Sequence, residues 1–132
     1  MENYTLTITA VGSFEDIVGR VKKELADEGF GILSDIDVRA TLTNKIGKAY
    51  GAYRILGACH PESAYQAIGK EIEIGVMLPC NFIIYEETGK VHLAAVRPTV
   101  TMLSVGNDAL LPLAEEIEGR LDVVIRNVAS YS

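Results

Sequence analysis

Tryptophan is missing from this 132-residue chain, and cysteine, histidine and proline are scarce, at two, two and four residues. Two cysteines cannot build the disulfide framework of a small secreted domain, so free thiols in a reducing compartment are the expected state. No stretch reaches the roughly 18 uninterrupted apolar residues of a membrane helix, so no membrane partner is expected. The opening residues, Met1-Glu-Asn-Tyr-Thr-Leu-Thr7, lack the basic start and apolar run of a secretory leader, which makes the cytoplasm the expected location. Basic residues number 12 against 18 acidic ones, for a formal net charge of −6. Such a surface repels phosphate backbones. The only basic cluster, Arg20-Val-Lys22-Lys23, falls on a helix whose solvated face accounts for it. Nucleic acid is therefore not an expected partner. There is no Gly-x-Gly-x-x-Gly, P-loop or Gly-x-Ser-x-Gly, so no recognisable motif marks a conventional enzyme.

What is present is an ordinary globular mixture, 48% apolar and 23% charged. A single domain over residues 1–132 is expected, long enough to bury a core. Tyr4 to Thr9 alternates, with Tyr4, Leu6 and Ile8 on one face, and reads as a half-buried strand. Ser13 can cap a helix whose Phe14, Ile17, Val18, Val21 and Leu25 form one apolar stripe, and Gly29 ends it. Phe30 to Ser34 reads as a second strand. Asp35 or Asp37 then caps a short helix with Val38, Leu42 and Ile46 at four-residue steps, closed by Gly47.

Tyr50 to Ala58 is a third strand. Pro61 and Glu62 open the next helix, with a buried stripe of Ala64, Tyr65, Ile68 and Ile72 and a stop at Gly75. Val76 to Leu78 precedes Pro79 and should be extended. Asn81–Glu86 and Val91–Val96 flank Glu87-Thr-Gly-Lys90 as a hairpin. Residues 99–106 fit either a short strand or a packed loop. Leu110, Leu113, Ile117, Leu121, Val124 and Val128 then face one side of a last helix. The order β-α-β-α-β-α-β-β-α implies an α+β domain, its sheet mixed or antiparallel, with helices mainly on one face.

The candidate chemistry lies between Tyr53 and Asn81, which holds both cysteines and His60. Cys59 and His60 directly precede a helix start, where free N–H groups and the helix dipole favour a thiolate. The competing reading makes Cys59 a small buried hydrophobe and His60 a cap. Cys80 starts a strand after Pro79. A helix of about fourteen residues carries the chain roughly 21 Å away from Cys59. An extended Gly75–Pro79 can bring it back about 15 Å. Both arrangements fit. If the thiols meet, they line a pocket with His60, Glu71, Met77 and Asn81.

No cofactor is expected. The candidate donors for a metal are Cys59, Cys80 and His60, which would suit zinc or copper(I), but no close ligand pair is present. A solvated face accounts for Glu115 and Glu116, His92 should face solvent, and Arg97 should bind an anion or, the safer reading, pair with Glu86.

Cys59-His60-Pro61-Glu62-x-Ala64-x-x-Ala67-Ile68, followed by Gly75-x-x-Leu78-Pro79-Cys80-Asn81, resembles the prokaryotic domain-of-unknown-function family 302. Phe30–Leu33, Asp35–Asp37, Val96-x-Pro98 and Met102 are similar to the same family. The resemblance implies a small α+β domain of TATA-binding-protein-like topology and a homodimer. It carries no activity or catalytic residue. Two functions are therefore expected alternatives. One is a domain that holds a small molecule, a sulfur species or a soft metal in a thiol-lined pocket. The other is a non-catalytic dimeric interaction module with both cysteines in its core.

Overall fold

The computed structural model describes residues 3–131. Its strands are β1 (Thr5–Ala10), β2 (Gly31–Asp37), β3 (Tyr53–Cys59), β4 (Cys80–Glu87) and β5 (Lys90–Val96). Its helices are α1 (Phe14–Asp27), α2 (Val38–Ile46), α3 (Pro61–Lys70), α4 (Pro98–Thr101) and α5 (Leu111–Ala129). The strands form one sheet in the order β1-β5-β4-β3-β2, and every neighbouring pair is antiparallel. The α+β expectation holds, and of the two sheet types left open the antiparallel one forms.

Successive strand residues point to opposite faces. Leu56 and Ala58 of β3, Phe82 and Ile84 of β4, and Leu93 and Ala95 of β5 therefore share one buried face. Against it lie α1, through Ile17, Val18, Val21 and Leu25, and α5, through Leu113, Ile117, Leu121, Val124 and Val128. The Ser13 hydroxyl accepts from the Asp16 N–H at 3.3 Å, as the capping pattern requires. The opposite face carries exposed Thr7, Thr9 and Asn81 and the half-buried Tyr53, Ile55, Ile83 and Tyr85. His92 is half-buried there and stacks on Tyr85 at 5.1 Å rather than standing free in solvent.

Several local expectations need correction. The strand expected over residues 30–34 continues to Asp37, which is the residue that caps α2, accepting from the Ala40 N–H at 3.0 Å. None of the nine residues of α2 is fully buried; Val38 and Leu42 of its apolar stripe are half-buried, and Ile46 is exposed. In β2 the pairing slips between Ile32 and Ser34, a bulge that leaves Leu33 exposed on the sheet edge.

Helix α3 stops at Lys70 instead of Gly75. It buries Ser63 and Ala67, while Tyr65 and Ile72 are 79% and 78% exposed. Small side chains on that face let α3 lie close to α5. Ile72–Met77 is a 3₁₀ segment that buries Ile74, so of the expected extended residues 76–78 only Leu78 is extended. Residues 98–105 form α4 and a short 3₁₀ turn. Arg97 pairs with Glu118 of α5 at 3.1 Å. It does not pair with Glu86, because Glu86 sits opposite Val91, at the far end of β5 from Arg97.

At the β2 side the helix layer meets the sheet through charges. Arg54 forks onto both Asp35 oxygens at 2.7 and 2.6 Å, and Lys22 of α1 adds a contact at 2.8 Å. The Arg54 hydrogen bonds hold the Asp35 carboxyl down at about 2. A carboxyl depressed from 3.8 stabilises the fold above about pH 4, and that contribution disappears as pH falls through about 2. Asp35 is partly solvated, which screens the pair. Asp35→Asn is expected to lower stability at pH 7 by about 1 kcal/mol. In urea titrations across pH, the gap to wild type should close between pH 4 and 2; a gap that stays constant would count against the ion pair.

Candidate functional site

β3 runs into α3 through Cys59, His60 and Pro61. Pro61 occupies the first turn, where its missing N–H leaves no bond unmade. His60 occupies the cap position without capping any backbone N–H. Its ring is held on three sides instead. Nδ1 and Ser63 Oγ share a hydrogen bond of 2.9 Å, and the ring stands edge-on to Phe30 at 5.4 Å. It also lies over Gly29, where an added Cβ would come within 3.2 Å of Nε2. Gly29 has φ +86°, so both its conformation and its missing side chain are used.

β4 starts at Cys80, just after a cis Leu78–Pro79 bond. The two strands are in register with Ala58 opposite Cys80, which puts Cys59 and Cys80 at the same end of adjacent strands. The chain returns because α3 ends after ten residues, and the 3₁₀ segment turns it back toward the sheet.

Cys59, His60 and Cys80 line one small hollow with Phe30, Ser63 and Pro79. Its volume is about 20 Å³, room for about one water-sized group. Leu78, Ala67 and Ile117 of α5 close it with hydrocarbon. Cys80 is 7% exposed. Burial pushes its thiol up to about 11, and charge on Cys59 adds to the rise. At neutral pH Cys80 is thus a neutral thiol. Cys59 is half-buried.

The other three candidates lie elsewhere. Glu71 accepts from the Asn107 side chain at 3.1 Å and ties the end of α3 to the loop before α5. Met77 is 41% exposed on the 3₁₀ segment. Asn81 follows Cys80 in β4 and so points to the opposite, exposed face. Among the described residues, no group of three or more His, Cys, Asp or Glu side chains is placed to hold a metal ion. Also among them, no helix is long and apolar enough to cross a membrane.

Sequence reasoning missed Ser63, Phe30 and Ile117. Ser63 had a readable signal: it lies three residues after His60 at a helix start, and residues so spaced face one another. Ile117 comes from a distant helix and left no local trace.

The family model of the domain of unknown function DUF302 matches residues 4–128. Among solved structures, the crystal structure of an uncharacterized conserved protein DUF302 from Bacillus stearothermophilus is similar, with a TM-score of 0.89 at 26% identity. That likeness covers 96% of this chain and 99% of the other. No curated protein matches the chain.

Two outcomes follow from the geometry. A disulfide reagent at pH 8 should modify Cys59 first, with Cys80 reacting only as fast as the protein opens. Equal rates, read by mass spectrometry, would contradict the burial of Cys80. The raised Cys80 thiol adds stability in full below its ordinary value of 9.0, and that contribution is lost as pH rises to about 11. Cys80→Ala should flatten this alkaline loss. Separately, Gly29→Ala should cost about 1–2 kcal/mol, because it forces a side chain into left-handed backbone. It should also displace the His60 ring, visible as shifted imidazole proton signals.

Proposed function

The chain belongs to the family of the domain of unknown function DUF302, and on that premise we propose that its hollow receives a small neutral sulfur species. Hydrogen sulfide, still largely neutral at pH 6.5, is the species meant. The single observation that carries this reading is the shared lining: Cys59 and Cys80 border one atom-sized space with His60.

Three features favour sulfur over other occupants. The first is size. A drug-sized ligand needs roughly 300 Å³ or more, and this hollow has about 20 Å³. The second is charge: Cys80 stays protonated at neutral pH, and hydrocarbon closes the remaining walls, so a neutral guest enters with little desolvation. The third is softness, since thiol sulfur is polarisable and makes favourable contact with another polarisable atom. Cys59, half-buried at the rim, is the group a guest meets first, and Cys80 forms the inner wall. His60, clamped by Ser63 and Phe30, gives the rim a fixed polar edge.

The test is a sulfide titration at pH 6.5, followed through the backbone amide signals of Cys59, His60 and Cys80. Saturable shifts confined to this corner are expected. Ala67→Leu fills the hollow from α3 and should abolish them while the other signals stay in place. Shifts that are absent at millimolar sulfide, or undiminished in Ala67→Leu, would overturn the reading.

A further inference from the structure

β1 is an outer strand of the sheet, and it pairs with β5 without a break from Thr5 to Ala10. The Arg97 N–H donates to the Tyr4 carbonyl at 2.8 Å, so residues 4 and 97 form a hydrogen-bonded pair. Bonded and non-bonded pairs alternate along antiparallel strands. Leu6, Ile8 and Ala10 therefore bond to β5, and the main-chain groups of Thr5, Thr7 and Thr9 point out of the sheet. The Thr5 N–H is taken by Asn3 Oδ1 at 3.1 Å. Among the described residues, the outward N–H and carbonyl groups of Thr7 and Thr9 have no protein partner. Outer strands are commonly guarded by proline, lysine or a bulge. Thr5-Leu-Thr-Ile-Thr-Ala10 has none of the three.

Beside this strand, on the helix side of the sheet, Leu6, Arg97, Leu111, Glu115, Glu118 and Asp122 line an open trough of about 650 Å³. Residues 111, 115, 118 and 122 follow three- and four-residue steps along α5 and so share one face of it. Leu6 is half-buried and Leu111 exposed, which gives the trough an apolar floor. Its walls are acidic, with three carboxylates to one guanidinium. Glu118 is held by Arg97 and Thr99, and Asp122 pairs with the exposed Arg126 at 3.0 Å. Glu115 takes part in no ion pair among the described residues.

We propose that β1 accepts an extended basic segment of another protein as a sixth strand. The main chain of the segment bonds to the outward groups of Thr7 and Thr9, and its alternate side chains turn toward α5. Lysine or arginine suits those positions. The aliphatic stem covers Leu6 and Leu111, and the charged head meets Glu115 and Asp122. Side chains on the other face lie beside the exposed Thr7 and Thr9, which accept polar and apolar neighbours alike. Charge selects against a second copy of this chain as the occupant. Its net charge is −6, and its own β1 has no basic residue to place in the trough.

The test titrates the full chain with a capped hexapeptide alternating lysine and valine, followed through the amide signals of β1 and α5. Saturable shifts are expected there, with the Thr7 and Thr9 amides gaining protection from hydrogen exchange. Affinity should fall as salt rises. A hexapeptide with glutamate in place of lysine should bind at least about tenfold more weakly. Glu115→Lys with Asp122→Lys should weaken the lysine peptide by at least as much. So should Thr7→Pro, which removes an outward N–H without breaking a bond to β5. Peptides methylated on the main-chain nitrogens of all valines or of all lysines check the strand pairing with the protein unaltered. One pattern should abolish binding and the other spare it, because only alternate amides face β1. No saturable binding at millimolar peptide, equal binding of the glutamate peptide, or indifference to both methylation patterns would each overturn the proposal. So would concentration-dependent shifts of Thr7 and Thr9 without peptide, the sign of a second copy on this strand.

Discussion

The candidate site rests on the register between β3 and β4. Because side chains alternate along a strand, a slip of β4 by one residue would turn Cys80 and Phe82 to the open face, away from their partners Ala58 and Leu56. Burying Phe82 and Leu56 completely therefore fixes Cys80 as well. The pairing also needs close approach on the other face. An added Cβ at Gly57 would collide with Ser34 Oγ and come within 2.9 Å of Pro79 Cγ. A glycine at that point lets β2 and the start of β4 close over the end of β3. The two cysteines come to line one hollow through hydrocarbon burial a few residues away.

The fold divides its stabilising interactions by position. Beneath α1 and α5 the sheet is covered by aliphatic side chains, and the desolvation is nearly complete. Toward β2, where most strand residues are exposed, the Lys22–Asp35–Arg54 group joins α1 to the sheet. At the other side, Glu118 gathers Thr99 and Arg97 and anchors the turn after β5. Polar groups thus complete the two margins of a core that aliphatic packing fills in the middle.

Much of this was legible in the sequence because it is local. The stripes of α1 and α5, the Ser13 cap and the β4–β5 hairpin follow from spacing alone. The failures share one cause. In α3 the largest apolar residues, Tyr65 and Ile68, are exposed, and the small Ser63 and Ala67 are buried. Hydrophobic spacing ranks residues by greasiness, whereas a helix pressed against another selects for smallness. The same blindness hid the return of Cys80, because where α3 stops is decided by its packing. Glu71, Met77 and Asn81 are near Cys80 in sequence, yet each faces away from the hollow. Distant Ile117 lines it.

The bulge in β2 reaches beyond its own strand. An edge strand with regular hydrogen-bonding groups invites another chain to add itself as the next strand. Here the extra residue at Leu33 interrupts that ladder and twists the margin, so a newcomer finds no regular ladder on the β2 side. Edge-to-edge growth is thereby discouraged at β2 and left to β1, the regular strand at the other margin.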